Sequence, residues 1–153
     1  MLKKIKIVWV GFHEEGISAL EGVCNAGYEV TALLTLNKDK LVLRSGYKDY
    51  EPLCEKFGIK MYRIDDINSQ ESIRILRDLN PDVLCVIGWS QILKSEALTS
   101  ADYVVGSHAS LLPHNRGSAP INWALINGET KTGNTLMRLS SGVDSGDILG
   151  QKS

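Results

Sequence analysis

Apolar positions along this chain follow two rhythms, continuous short runs and helical spacings, and the two alternate. Residues 5–10 form a near-continuous apolar run, as in a strand buried on both faces, and Gly11 breaks it. A helix over Glu14–Asn25 follows, with Ile17, Leu20 and Cys24 on one face and Gly27 as its stop. Residues 29–35 read as a second strand, and residues 36–46, polar and lysine-bearing, as a loop. Tyr50, Leu53, Cys54 and Phe57 keep helical spacing up to Gly58. Residues 59–64 read as a short strand. Asn68 with Glu71 resembles a capping box, with Ile67 as a hydrophobic staple. That helix carries Ile73, Leu76 and Leu79 and ends before Pro81. Residues 83–87 are fully apolar, and a further apolar run, residues 103–105, leads through a small-residue step to His108. A turn-rich loop with Pro113 and Gly117 comes next, then a short helix over 121–126 stopped by Asn127-Gly128. Residues 133–139 form a last strand-like run, before a second loop holding Asp144.

Strands alternating with helices through short links predict an α/β fold, a Rossmann-like, doubly wound, mostly parallel sheet with helices on both faces. The strands over 5–10, 29–35 and 83–87 belong to its buried centre. Ligands on such sheets bind beyond the carboxyl ends of the strands. Gly11, Gly88 and His108 stand at those ends and should share one rim.

Composition narrows the partners. The 153 residues make one domain, 1–153, long enough for a proper core. With 43% hydrophobic and 23% charged residues and a net charge of −1, the chain has no basic footprint for nucleic acid. No apolar run approaches the roughly 20 residues that cross a bilayer. The N-terminal lysines precede an apolar run, but Lys6 interrupts it and no small-residue cleavage site follows, so a strand is the better reading than a signal peptide. Cys24, Cys54 and Cys85 lack the spacing of a disulfide framework or a zinc site, which argues against a metal. Three free buried thiols suit a reducing cytoplasm.

The first strand–helix turn, Gly11-Phe12-His13-Glu14-Glu15-Gly16, is not the glycine pattern of a dinucleotide site. Glu14 and Glu15 stabilise a helix N-terminus but repel a phosphate there, and His13 is most simply a solvated turn residue. His108 and Asp144 lie on two loops that follow two apolar strands, a layout that allows a general acid/base pair. The plain alternatives are a structural histidine and a turn aspartate in Val-Asp-Ser-Gly.

The second half of the chain carries an ordered, multi-part pattern: His108, Ser110-Leu111-Leu112-Pro113, Arg116-Gly117, Pro120, Trp123, Gly133, Thr135 and Asp144-Ser145-Gly146-Asp147-Ile148. It resembles the formyltransferases that use 10-formyltetrahydrofolate. The first turn lacks the glycine-rich phosphate loop of the glycinamide-ribonucleotide branch, so the chain looks more like the branch acting on methionyl-tRNA or amino sugars. The resemblance implies catalytic roles for His108 and Asp144. The histidine donates to the formyl oxygen as a tetrahedral intermediate forms, and the aspartate orients it and helps remove the amine proton. It further implies that Ile87, Gly88, Trp89 and Leu93, with Gly142, Val143 and Asp144, hold the folate. Ser110, Arg116 and Gly117 would face the acceptor. Arg116 suits either a bidentate contact to an anionic substrate group or an ion pair that pins the loop.

Two positions depart from the family pattern. The asparagine expected two places before the histidine is Gly106, which offers no carboxamide to an oxyanion, and losing one such donor costs about 10²–10³ in rate. Ser107, Asn115 and Asn122 are candidates to replace it. Family domains also continue past the Asp-x-Gly-x-Ile motif, so the domain reads as truncated at its C-terminus. A helix covering one sheet face is then missing or supplied by another subunit, as in a homo-oligomer. The expected activity is formyl transfer from 10-formyltetrahydrofolate to a primary amine on a small molecule, a nucleotide-linked amino sugar first, with no nucleic acid or membrane partner. A formyltetrahydrofolate hydrolase and a folate-binding module without turnover are the rivals.

Overall fold

The computed structural model describes residues 4–153. Its elements are, in order, β1 (Ile7–Val10), α1 (Glu14–Asn25), β2 (Val30–Leu36), α2 (Lys38–Leu41), α3 (Glu51–Phe57), β3 (Lys60–Ile64) and α4 (Gln70–Leu79). They continue with β4 (Val83–Val86), α5 (Ser95–Leu98), β5 (Tyr103–His108), α6 (Pro120–Ile126), β6 (Asn134–Arg138) and β7 (Ile148–Lys152). The strands form one seven-stranded sheet in the order β3-β2-β1-β4-β5-β6-β7. The first five of them pair in parallel, and β6 and β7 add to β5 antiparallel. This is the doubly wound, mostly parallel sheet that the alternation predicts.

Period-two geometry sends neighbouring side chains of a strand to opposite faces. Ile7 and Trp9 of β1 join Leu20 of α1 and Cys54 of α3 in one core layer. Val8 and Val10 join Ile73 and Leu76 of α4 in the other. The continuous apolar runs therefore follow from a sheet covered on both sides. At about 25 cal/mol per Å² of apolar surface, these two layers are the main favourable term in the fold.

Several local expectations change. Ile5 is 49% exposed and β1 starts only at Ile7, because Lys6 already marks the solvated end of the run. Residues 36–46 contain the short helix α2, with Leu41 buried beneath it. Gly27 lies just past α1, in the left-handed region at φ 88°, after Ala26 closes the helix. Cys24 is only half-buried, unlike Cys54 and Cys85. Ser69, not Asn68, caps α4, its hydroxyl accepting the Ser72 amide at 3.1 Å. Asn68 instead ties down the loop after β4: its Nδ2 donates to the Ile92 carbonyl and its Oδ1 accepts from the Lys94 amide. Both residues are good capping types, and the site of tertiary bonding decides between them.

Candidate active site

The carboxyl ends of β4 and β5 and the turn between β6 and β7 meet around one cavity of about 460 Å³. That is within the ordinary size of a small-molecule site, roughly 300–1,000 Å³. Trp89, Leu93, Met137, Leu139 and Val143 give it apolar walls, and His108 and Asp144 give it chemistry.

His108 ends β5 and is 9% exposed. Its Nε2 lies 2.7 Å from the Asn115 carbonyl. A carbonyl oxygen only accepts, so this nitrogen carries a proton. Nδ1 faces Asp144 Oδ2 at 3.5 Å. Asp144 sits in the left-handed region at φ 47°, held there by two bonds. Its Oδ2 accepts the Gly117 amide at 2.8 Å, and its carbonyl accepts Arg116 Nε at 3.0 Å. The loops after β5 and β6 are thereby stitched across the cavity mouth.

A polar knot, buried at Thr135, holds the first of these loops to the sheet. Thr135 Oγ1 donates to the Ser110 carbonyl at 2.7 Å and accepts the Leu112 amide. Gln151 of β7 donates from Nε2 to both the Leu112 carbonyl and Thr135 Oγ1. The loop after β4 is pinned in a similar way, Gln91 accepting the Ile67 amide and donating to the Asp65 carbonyl.

Of the residues singled out in the sequence, the structure brings Trp89, Leu93, His108, Gly117, Gly142, Val143 and Asp144 to the cavity wall. Ile87, Gly88, Ser110 and Arg116 stand outside it. Ile87 points into the opposite core layer with Trp9 and Leu20. Gly88, at φ 68°, turns its carbonyl to the amides of Phe12 and His13 and so braces the first strand–helix turn. Ser110 is buried and donates its hydroxyl to the His114 carbonyl. Arg116 neither makes an ion pair among the described residues nor lines the cavity; its bond to the Asp144 carbonyl is what pins the loop.

Gly106 lines the cavity floor and is not in the left-handed region. A Cβ placed there would lie 2.8 Å from Leu139 Cδ2 and 3.2 Å from the Val86 carbonyl oxygen. Leu139 thus occupies the room that a side chain at 106 would need. Of the three candidate substitutes for the missing donor, Ser107 lines the cavity. Asn115 has its carboxamide on Glu129, and Asn122 is exposed on α6. Met137 and Leu139 are cavity residues that the sequence reading missed. Their signal was the alternation along β6 and just past it, where Thr135 and Met137 are buried and Leu139 half-buried between exposed neighbours.

Among the described residues no group of three or more His, Cys, Asp or Glu side chains is placed to hold a metal ion. No helix of the described residues is long and apolar enough to cross a membrane.

Known proteins are similar to this chain. The formyl transferase family model matches residues 13–153. The methionyl-tRNA formyltransferase of Clostridium acetobutylicum is 40% identical over 150 residues, 95% of this chain and 48% of its own length. The methionyl-tRNA formyltransferase of Caldanaerobacter subterraneus subsp. tengcongensis is 38% identical over 154 residues, covering 97% of this chain and 50% of its own. The chain thus spans about half the length of these curated relatives. Among solved structures, glycinamide ribonucleotide transformylase 1 from Symbiobacterium toebii superposes with a TM-score of 0.78 at 21% identity, over 97% of this chain and 72% of that one, and shares the fold. With the family model matched from the first turn to the last residue, and His108 and Asp144 facing each other at 3.5 Å in the cavity wall, the chain belongs to the formyl transferase family.

Proposed function

We propose that this domain moves a formyl group from 10-formyltetrahydrofolate to a primary amine. The observation that carries the reading is the His108–Asp144 pair, 3.5 Å apart in the wall of a folate-sized, largely apolar cavity. The amine attacks the formyl carbon, and the bond from that carbon to N10 breaks. One proton leaves the amine, and one arrives on N10. A proton on His108 Nδ1 stabilises the oxyanion of the tetrahedral intermediate. Asp144 holds the imidazolium in place, takes the amine proton and returns it to N10 as that nitrogen leaves. Trp89, Leu93, Gly142 and Val143 hold the folate. Gly117 holds Asp144, Ile87 and Gly88 support the folate loop from behind, Ser110 braces the acceptor loop, and Arg116 stands at its outer edge, where an anionic acceptor group would meet its guanidinium.

The acceptor favoured by the relatives' names is the methionyl amine of a charged tRNA, ahead of the amino sugar that the sequence suggested. The net charge of −1 gives no basic surface for the phosphate contacts of a tRNA. A specific observation keeps water as a second nucleophile. The floor at Gly106 and Leu139 is apolar and carries no carboxamide, which leaves His108 and the Ser107 hydroxyl as side-chain donors near the oxyanion.

The test offers 10-formyltetrahydrofolate with methionyl-tRNA, with a nucleotide-linked amino sugar, and with no acceptor. Formylated amine in either of the first arms supports transfer, and formate release in all three supports hydrolysis. Binding of 5-formyltetrahydrofolate without turnover leaves a folate-binding module. No binding in calorimetry at millimolar ligand rejects every folate reading.

A further inference from the structure

Behind His108 a line of contacts runs from the cavity wall to the surface. Asn115, whose carbonyl takes the proton of His108 Nε2, is in the left-handed region at φ 52°. A residue other than glycine at such a φ needs support, although asparagine tolerates it better than most. The support comes from Glu129. Asn115 Nδ2 lies 3.0 Å from one oxygen of the Glu129 carboxylate and 2.9 Å from the other. Glu129 reaches this position because α6 ends there. Gly128 turns at φ 67°, and the Glu129 amide folds back onto the Ala124 carbonyl at 2.9 Å.

The two neutral forms of an imidazole differ little in energy, so one fixed acceptor selects between them. The Asn115 carbonyl is that acceptor here. It keeps a proton on Nε2 and leaves Nδ1, beside Asp144, as the nitrogen that exchanges protons. The surrounding loop carries two more left-handed residues, Gly117 and Ala119, so the carbonyl's aim depends on a side-chain anchor.

We propose that Glu129 is a positioning residue. By gripping the Asn115 carboxamide it aims the Asn115 carbonyl at His108 Nε2 and fixes Nδ1 as the working nitrogen. The kinetic part of this inference rests on the proposed formyl transfer, and the protonation part does not.

Nitrogen-15 NMR of the imidazoles reads the protonation part directly, with His13 and His114 as internal controls. His108 of the wild type should show the Nε2–H form. In Glu129→Ala that form should give way to a mixture, while His13 and His114 stay unchanged. The same variant should lose about tenfold in kcat, as expected for one lost orienting bond, with KM for the folate held within about twofold. Glu129→Gln should recover part of the loss, because its carboxamide oxygen still accepts one N–H from Asn115. Asn115→Gly keeps the left-handed backbone and the carbonyl but not the grip. It should match Glu129→Ala, and the double variant should be no worse than either. A Glu129→Ala protein that keeps the wild-type His108 form and kcat overturns the proposal. If the wild type transfers no formyl group, the proposed function fails, and the imidazole spectra of Glu129→Ala then decide this inference alone.

Discussion

The two halves of the sheet are built on different terms. β1 and β2, in its parallel half, are buried almost throughout, and helices cover both of their faces. β6 alternates buried and exposed residues, and every residue of β7 is exposed. The first half gains its stability from apolar layers. The second half is held more by specific polar links, among them the Thr135–Gln151 knot and the Gly117–Asp144 bond. The proposed site lies where the second kind of structure meets the first. A site needs loops that hold polar groups at fixed distances, and a close-packed apolar layer offers none.

The largest effects separate the two halves by what is lost. In the polar half, His108→Ala and Asp144→Ala should each lower formyl transfer by about 10²–10⁴ and leave the melting temperature nearly unchanged. The double variant should be scarcely slower than either single one, since the pair works as a unit. Strictly multiplicative losses would mean that the two residues act apart.

In the apolar half, Leu34→Ala should cost about 2–5 kcal/mol in urea denaturation, because Leu34 is fully buried in β2. Leu149→Ala on exposed β7 should stay within about 0.5 kcal/mol. Equal costs at the two positions would show that β7 is covered in solution.

Gly106 stands at the seam. Gly106→Asn should cost about 1–3 kcal/mol, because its side chain meets Leu139, and it should not raise the rate. Gly106→Asn with Leu139→Ala makes room, and it should outpace Leu139→Ala alone if the added carboxamide reaches the oxyanion. A rate gain in the single variant would show that Leu139 moves aside freely.

The smallest effect is on pH. Burial raises the thiol of Cys85 from 9.0 to about 12 and that of Cys54, with nearby Asp49 adding to it, to about 11. Each thiol is neutral in the folded protein at a pH where the unfolded chain would ionise it. That contribution is whole below about pH 9 and is lost as pH rises from there towards the folded values. Stability should therefore fall above about pH 9, and Cys85→Ala should flatten part of the fall. An unchanged slope in that variant would place the titration elsewhere.

The parallel half was readable because runs such as residues 29–35 admit few other environments. A continuous apolar strand must be buried on both faces wherever it sits. β7 and α5 were not read. Ile148–Lys152 is short and fully exposed, and Ser95–Leu98 is one turn, so neither had a pattern to show. The likeness to a family implied roles for His108 and Asp144, which line the cavity 3.5 Å apart, and folate contacts for Ile87 and Gly88, which stand outside its wall.

The sequence by itself determined the layers, the class of fold and the residue types able to do the chemistry. Those depend on periodicity and on side-chain identity, which are local. The tertiary structure decided which nitrogen of His108 faces Asp144, which residue caps α4, and that Leu139 fills the space beside Gly106. Each is a contact between segments distant in the chain, with a sign set by distances of an ångström or less, and hydrophobic pattern carries no information at that scale.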